Sequence, residues 1–399
     1  MNDFSVSRRR LDLHHAALQA GFWSMFGSVC AYQAALLLAR GLSNSDVGLI
    51  IAVRCLTGII AQPLLGSFSD RHPNIPLKRI VVLSLALSFL VGLPFIFIPM
   101  GLGGTLAVFA FLGAFELSAY PLIDSMAIQF INAGIPIRYS LGRGIGSLAY
   151  ALCCAALGML TSRFGMELTL WVHAGLILLE ILLVQTYPTY RPSPESLQKQ
   201  QTGRPHSPLA LLTHYPRFAM ALAASFFGVM GVISLSNFLV NIVDHRGGGN
   251  MDLGLSLFLM GAFELPTAIL FPKLLRRLGC DRLMCVSLGF CVLKCLAMLL
   301  APSLPLLLAC QAQQMLGYGL FTPTSVYFVN ENIPAADQVL GQTLMMVASN
   351  GLGGVAGSFL MGRALDMGGV PFMLTLCLLC CGLGLVLGLL ALRLPRNRP

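Results

Sequence analysis

The amino-acid sequence predicts an all-α membrane protein: twelve transmembrane helices in two pseudo-symmetric six-helix bundles, with both termini in the cytoplasm. Three observations carry that expectation. The first is composition: the 399 residues are 56% hydrophobic and only 10% charged, with a mean hydropathy of +0.79. Soluble domains run at roughly 45–50% apolar and 25% charged, so lipid must cover the surface that this chain has too few polar residues to cover. The second is the length and number of its apolar runs, and the third an echo between its two halves.

A helix needs roughly 20 apolar residues to cross a bilayer. Twelve such stretches are legible, at about 14–39, 45–68, 78–99, 103–131, 139–163, 168–186, 216–243, 251–275, 282–301, 304–330, 338–364 and 370–392. Long helices satisfy their own backbone in lipid, and these continuous runs suit them better than the alternation of a barrel. Between the sixth and seventh stretches lies the one plainly polar segment, TYPTYRPSPESLQKQQTGRPHSP, at 186–208. The division that follows is a bundle over 1–186, a cytoplasmic linker over 187–215 and a second bundle over 216–399.

The echo supports that division. FINAGIPIRYSLGR (Phe130–Arg143) resembles FVNENIPAADQVLGQ (Phe328–Gln342), with Asn132 and Asn330 lying 198 positions apart. An offset near half the chain is the mark of a duplicated bundle, as in many secondary transporters. The pentapeptide GAFEL also occurs twice, at Gly113–Leu117 and Gly261–Leu265, but its offset of 148 pairs the fourth stretch with the eighth. It falls outside the duplication, so its two glutamates need separate explanations.

Orientation is read from Lys and Arg, which favour the cytoplasmic side. With the N-terminus inside, 18 of the 25 basic residues fall in cytoplasmic segments, and only Arg40, Arg163, Arg246 and Arg363 fall outside. Arg54, Arg143 and Lys294 lie within stretches. The net charge of +9 is thus a topology signal and implies no nucleic-acid partner. The twelve cysteines lie in or beside apolar runs without the paired CxxC spacing of a zinc site, so no metal is expected.

An ionisable side chain at bilayer depth costs a few kcal/mol or more, and its default reading is functional. Asp124 and Arg143 sit on consecutive stretches, with Tyr150 two turns beyond Arg143 on the same face. That stripe suits a solute site: a guanidinium that grips carboxylates or hydroxyls, beside an aromatic platform. Snorkelling of Arg143 to the cytoplasm is the alternative. Glu116 shares a face with Tyr120 and roughly with Asp124, and Pro121 loosens the helix between them. Gln314 offers a neutral hydrogen-bonding group to the same cavity. Glu264 and Lys294 are expected to pair and to part when a proton or solute arrives. Arg54 and Glu180 are weaker candidates, for which snorkelling or pairing between helices would suffice.

SNSDVGLIIAVRCLTGIIAQPLLGSFSDR, from Ser43 to Arg71, resembles the second helix of the major facilitator superfamily. The likeness is to the branch of the oligosaccharide/proton symporters (lactose permease) and phenylpropionate permease-like transporters, and it spans nearly the whole chain. Q-P-L-x-G-x-x-S-D-R here is Gln62 to Arg71. The resemblance implies a conformational latch in which Gly66 permits close approach of another helix, while Asp70 and Arg71 hold one state. It also implies that Asp124, Arg143 and Tyr150 touch the solute and that Glu264, followed by the basic residues of ELPTAILFPKLLRR, carries the proton. Lys294 stands where relatives have arginine. Where relatives carry a histidine, and lactose permease a glutamate three residues later, this chain has Gln314 and Gly317, so that coupling scheme does not transfer whole.

These residues imply a secondary transporter working by alternating access: proton-coupled uptake of a small polar or organic-acid solute. It would act as a monomer in a bacterial-type inner membrane, with the proton gradient as its energy source and no cofactor. A proton-driven exporter of a drug or metabolite is the alternative, and a non-transporting sensor a distant one. No GxxxxGK[ST], DDxxD or HExxH occurs, so an enzyme or an ATP-driven pump is not expected.

Overall fold

The computed structural model describes residues 8–72, 74–135, 137–190, 208–334 and 337–395. Most of the expected linker at 187–215 lies outside them, as do Arg191, Lys199, Arg204, Arg396 and Arg398.

The chain runs α1 (Arg8–Val29), α2 (Gln33–Ala39), α3 (Asn44–Arg71), α4 (Leu77–Phe97), α5 (Leu102–Asn132), α6 (Tyr139–Phe164) and α7 (Leu168–Thr186). It resumes with α8 (Pro208–His214), α9 (Pro216–Asn237), α10 (Leu239–His245), α11 (Asn250–Leu278) and α12 (Cys280–Leu300). It closes with α13 (Leu304–Cys310), α14 (Tyr318–Asn332), α15 (Gln338–Met346) and α16 (Gly353–Ala391). Among the described residues there is no strand. Nine helical segments there are long and apolar enough to cross a membrane, and α11, bent by 56°, makes a tenth when its two parts are counted together.

Local chemistry explains the boundaries. Ser43 caps α3 in a reciprocal box with Asp46, each satisfying a backbone N–H of the other. Gly369, with φ of 69° and ψ of −168°, interrupts the 54-residue rod from Gln338 to Ala391 where the sequence separates its last two stretches. Only glycine takes that backbone readily. The stretch expected at 304–330 is not one helix. It narrows to a 3₁₀ turn at Gln311–Gln314 and breaks at Gly317 before α14 begins.

Helix α1 packs on α6 and α7, α3 on α5 and α16, α6 on α11, and α9 on α16. Large apolar side chains such as Leu64, Leu83, Phe164 and Ile269 point outward, as a lipid-facing surface requires. The α3–α16 and α6–α11 contacts close on glycines at the end of the molecule away from the termini. Gly48 lies against the Ser358 carbonyl and Gly362, while a Cβ on Gly158 would stand 2.7 Å from the Gly254 Cα. Asp366 clamps the same end, accepting from Asn44 Nδ2 and from the Ser45 N–H, both at 2.8 Å.

Toward the other end the helices part. Gly351 still meets Ile59, but a Cβ on Gly66 or Gly144 would meet nothing within 4 Å. This corrects the expectation for Gly66: among the described residues, no atom of another helix lies within 4 Å of a Cβ built there. Asp70 and Arg71 are exposed beside it and have no hydrogen-bond or ion-pair partner among the described residues. The two halves thus meet on glycines at the end away from the termini, while Gly66 and Gly144 toward the other end stand clear of any described neighbour.

Candidate functional site

One face of α1, unremarked in the sequence, builds the first cluster. Asp12, His15, Gln19 and Trp23 recur every three or four residues and so share that face. Asp12 accepts the Arg138 N–H at 2.8 Å, tying α1 to the start of α6. His15 is buried and stacks on Tyr139 with ring centroids 5.6 Å apart. Gln19 Nε2 donates to Asp124 Oδ1 at 2.7 Å, and Trp23 Nε1 donates to Gln19 Oε1 at 3.2 Å. The Arg143 guanidinium lies 5.1 Å from the centroids of both the Trp23 and Tyr120 rings, with Nη1 buried and unpartnered. Arg143 therefore does not snorkel; it lies against two adjoining aromatic rings, whose centroids are 5.4 Å apart.

Asp124, Arg143 and Tyr150 do come together, but with a difference. The rings that grip the guanidinium are Trp23 and Tyr120. Tyr150 is the next ring along, edge-on to Trp23 at 6.5 Å, and it packs beside Gly261 of α11.

The second cluster joins α11, α12 and the 3₁₀ turn. Lys294 Nζ donates to Gln314 Oε1 at 2.7 Å, and Gln314 Nε2 donates to Glu264 Oε1 at 2.8 Å. The expected direct pair of Glu264 and Lys294 is thus corrected to a bridged one. An amide, donor at one end and acceptor at the other, suits a position between an ammonium and a carboxylate. The helix break places it there, and Thr267 Oγ1 donates to the freed Met315 carbonyl at 2.9 Å. Gln314→Leu removes both bonds and leaves two buried ionisable groups short of a partner. It should lower stability by about 1–3 kcal/mol for each unsatisfied group, read as a fall in melting temperature in detergent.

The third cluster corrects the expectation for Glu116, which does not line an open stripe with Tyr120 and Asp124. It is 0% exposed, 2.7 Å from Arg54 Nη2 and 3.4 Å from His173 Nε2. Arg54, 2% exposed, also donates to Gln33 Oε1 at 3.0 Å. The Arg54 carbonyl rests against Gly113, so the first residue of the pentapeptide lets α3 come close enough for Arg54 to meet the glutamate one turn on. The second copy works alike: Gly261 admits Ala151 and Tyr150, and Glu264 follows one turn later.

The first two clusters adjoin each other. Tyr150 of α6 packs at Gly261, one turn before Glu264 on α11, and Gly319, next to Tyr318, lies against the Glu264 side chain. Sequence reasoning missed His15, Gln19, Trp23, Gln33 and His173. The polar spacing along α1 was the available signal for the first three. Nothing local marked the other two.

Long apolar helices around adjoining ionisable clusters, joined on glycines at one end, mark a multi-pass membrane protein. A family model described as "MFS_1 like family" matches residues 21–375, and the chain belongs to that family of the major facilitator superfamily. It is 26% identical over 348 residues to the maltose permease of Geobacillus stearothermophilus, covering 84% of each chain. Over a shorter span of 157 residues, 36% of this chain and 34% of the relative, it is 31% identical to the raffinose permease of Escherichia coli. Its fold is that of a mutant of the nucleoside transporter NupG, with a TM-score of 0.81 at 16% identity over 96% of this chain and 99% of that one. These relatives are transport proteins, and so is this chain, rather than an enzyme.

Proposed function

We propose that the chain is a proton-coupled symporter that takes up a small, neutral, hydroxyl-rich solute by alternating access. The observation that carries this reading is the pair of adjoining polar clusters in a bundle joined on glycines at one end. In the first cluster Asp124 and Arg143 bring opposite charges to one site. That near-neutral balance suits hydroxyls, which donate to the carboxylate and accept from the guanidinium, better than an organic acid. Trp23, Tyr120 and Tyr150 offer ring faces for the apolar side of a sugar. The names of the maltose and raffinose permeases support an oligosaccharide as the first solute to test.

Twelve spans fit the helices when α13 and α14 count as one broken span and Gly369 divides the last rod. The asymmetry of basic residues supports cytoplasmic termini in a bacterial-type inner membrane, with two six-helix bundles around the site. In that orientation the glycine-joined end faces outward and the structure is open inward. Gly66, Asp70 and Arg71 then form a latch that engages only when the cytoplasmic ends meet. A single chain suffices as the working unit.

Glu264 is assigned the coupling proton, since Gln314 and Lys294 respond to its charge. In proteoliposomes, Glu264→Gln should keep maltose exchange across the membrane while abolishing accumulation driven by a proton gradient. Accumulation at the unmutated level would remove Glu264 from coupling, and maltose efflux against its gradient would make the protein an exporter.

A further inference from the structure

Glu180 of α7 belongs to none of the three clusters. It is 0% exposed, and neither carboxyl oxygen has a hydrogen-bond partner among the described residues. Snorkelling would show exposure and pairing would show a partner, so neither accounts for Glu180. The carboxyl fills a notch at Gly21 of α1, where a Cβ would collide with Oε2 and stand 3.1 Å from Leu183 Cδ1.

Ionisable groups on the neighbouring helices are turned elsewhere. On α1, His14 Nε2 engages the Leu183 carbonyl at 2.9 Å. On α4, Lys78 donates to the carbonyls of Gln185 and Tyr187, at 3.4 and 3.2 Å. On α7 itself His173 faces Glu116, and on α6 Arg143 faces the Trp23 and Tyr120 rings. An unpaired anion in such a place costs several kcal/mol. Glu180 packs there as the neutral acid.

Helix α1 connects this acid to the solute site. Gly21 lies two residues from both Gln19 and Trp23, about 200° around the helix from each. One face of α1 therefore holds the residues that grip Asp124 and Arg143, while the opposite face seals Glu180. We propose that Glu180 is a second proton-carrying carboxyl, released to water when α1 shifts with the solute site. This rests on the transport reading above, with the Asp124–Arg143 cluster as the place where solute sits. When α1 moves with the bundle open inward, the notch opens and the acid gives its proton to the cytoplasmic water. The carboxylate takes a proton from the outer water once the bundle opens outward. Only then can α1 return, because the closed notch offers the anion no partner, so each cycle carries one proton inward.

The test uses 1-ethyl-3-(3-dimethylaminopropyl)carbodiimide with an amine nucleophile, a water-soluble pair that labels carboxyl groups reached by water, on the full-length protein in proteoliposomes, with adducts located by peptide mass. Labelling of Glu180 should rise several-fold in a Gly48→Trp protein, whose glycine-joined end is wedged open. Gly158→Trp serves the same purpose should the first variant not fold. Equal labelling in all conformations, or none in any, overturns the proposal. This arm needs no solute, so a wrong choice of sugar leaves it decisive. In the coupling arm, Glu180→Gln keeps the shape and the neutral state. Maltose exchange should persist while proton-driven accumulation falls to simple equilibration; undiminished accumulation overturns the assignment. Failure of the unmutated protein to move maltose counts against the solute reading alone, and the labelling then decides on Glu180.

Discussion

Glu116→Leu should destabilise the fold by about 3–5 kcal/mol, the usual cost of removing one member of a buried ion pair. The loss is large because the member left behind is Arg54. A guanidinium does not give up its proton in a protein, and at 2% exposure it keeps the neutral Gln33 amide but loses its counter-charge. The opposite change, Arg54→Met, should cost less, since Glu116 keeps His173 within 3.4 Å. Replacing both, R54M with E116L, should recover most of the stability, because two apolar side chains of similar volume often replace a buried pair without loss. Denaturant unfolding of the four proteins in one detergent measures this. A Glu116→Leu protein as stable as its parent would show that the pair is not closed in solution.

Gly48→Trp should reduce transport by about 100-fold or more. Overpacking a close-fitted contact costs roughly 1–3 kcal/mol, and an indole where no Cβ fits lies at or above the top of that range. Gly48 meets the Ser358 carbonyl and Gly362 directly, beside the clamp that Asp366 makes on Asn44 and Ser45. The closed end should become scarce and the cycle stall with that end open. Solute binding should survive, since neither polar cluster touches Gly48. Calorimetry with maltose on the purified variant separates the two effects. Transport at the parent rate would mean that closing this end is no part of the mechanism.

Part of the candidate site was legible because charge in a lipid-embedded chain is rare enough to stand out. Asp124, Arg143, Glu264 and Lys294 each announced themselves in that way. What each one faces was less legible. Glu264 and Lys294 looked like a direct pair because opposite charges on adjacent spans attract, yet the broken helix between them carries Gln314 into the gap. Glu116 looked like a neighbour of Asp124 because the helical period places them on one face. Its true partner, Arg54, is 62 residues away and reaches it across the contact at Gly113. Trp23 and Gln19 were hidden for a different reason. Polar and aromatic residues near the start of a first span resemble ordinary interfacial anchoring, and only packing against α5 and α6 shows that they hold Asp124 and Arg143.

By itself the sequence determined that this chain lives in lipid, that it is built of long helices, and that a handful of buried charges must find partners. Composition and period suffice for those conclusions, since the cost of exposing backbone or charge to hydrocarbon depends on residue type and length alone. Only the tertiary structure decided which charges meet, which glycines are pressed against another backbone, and at which end the two halves meet. Those outcomes depend on how separate helices approach one another, through contacts between residues hundreds of positions apart that no local pattern records.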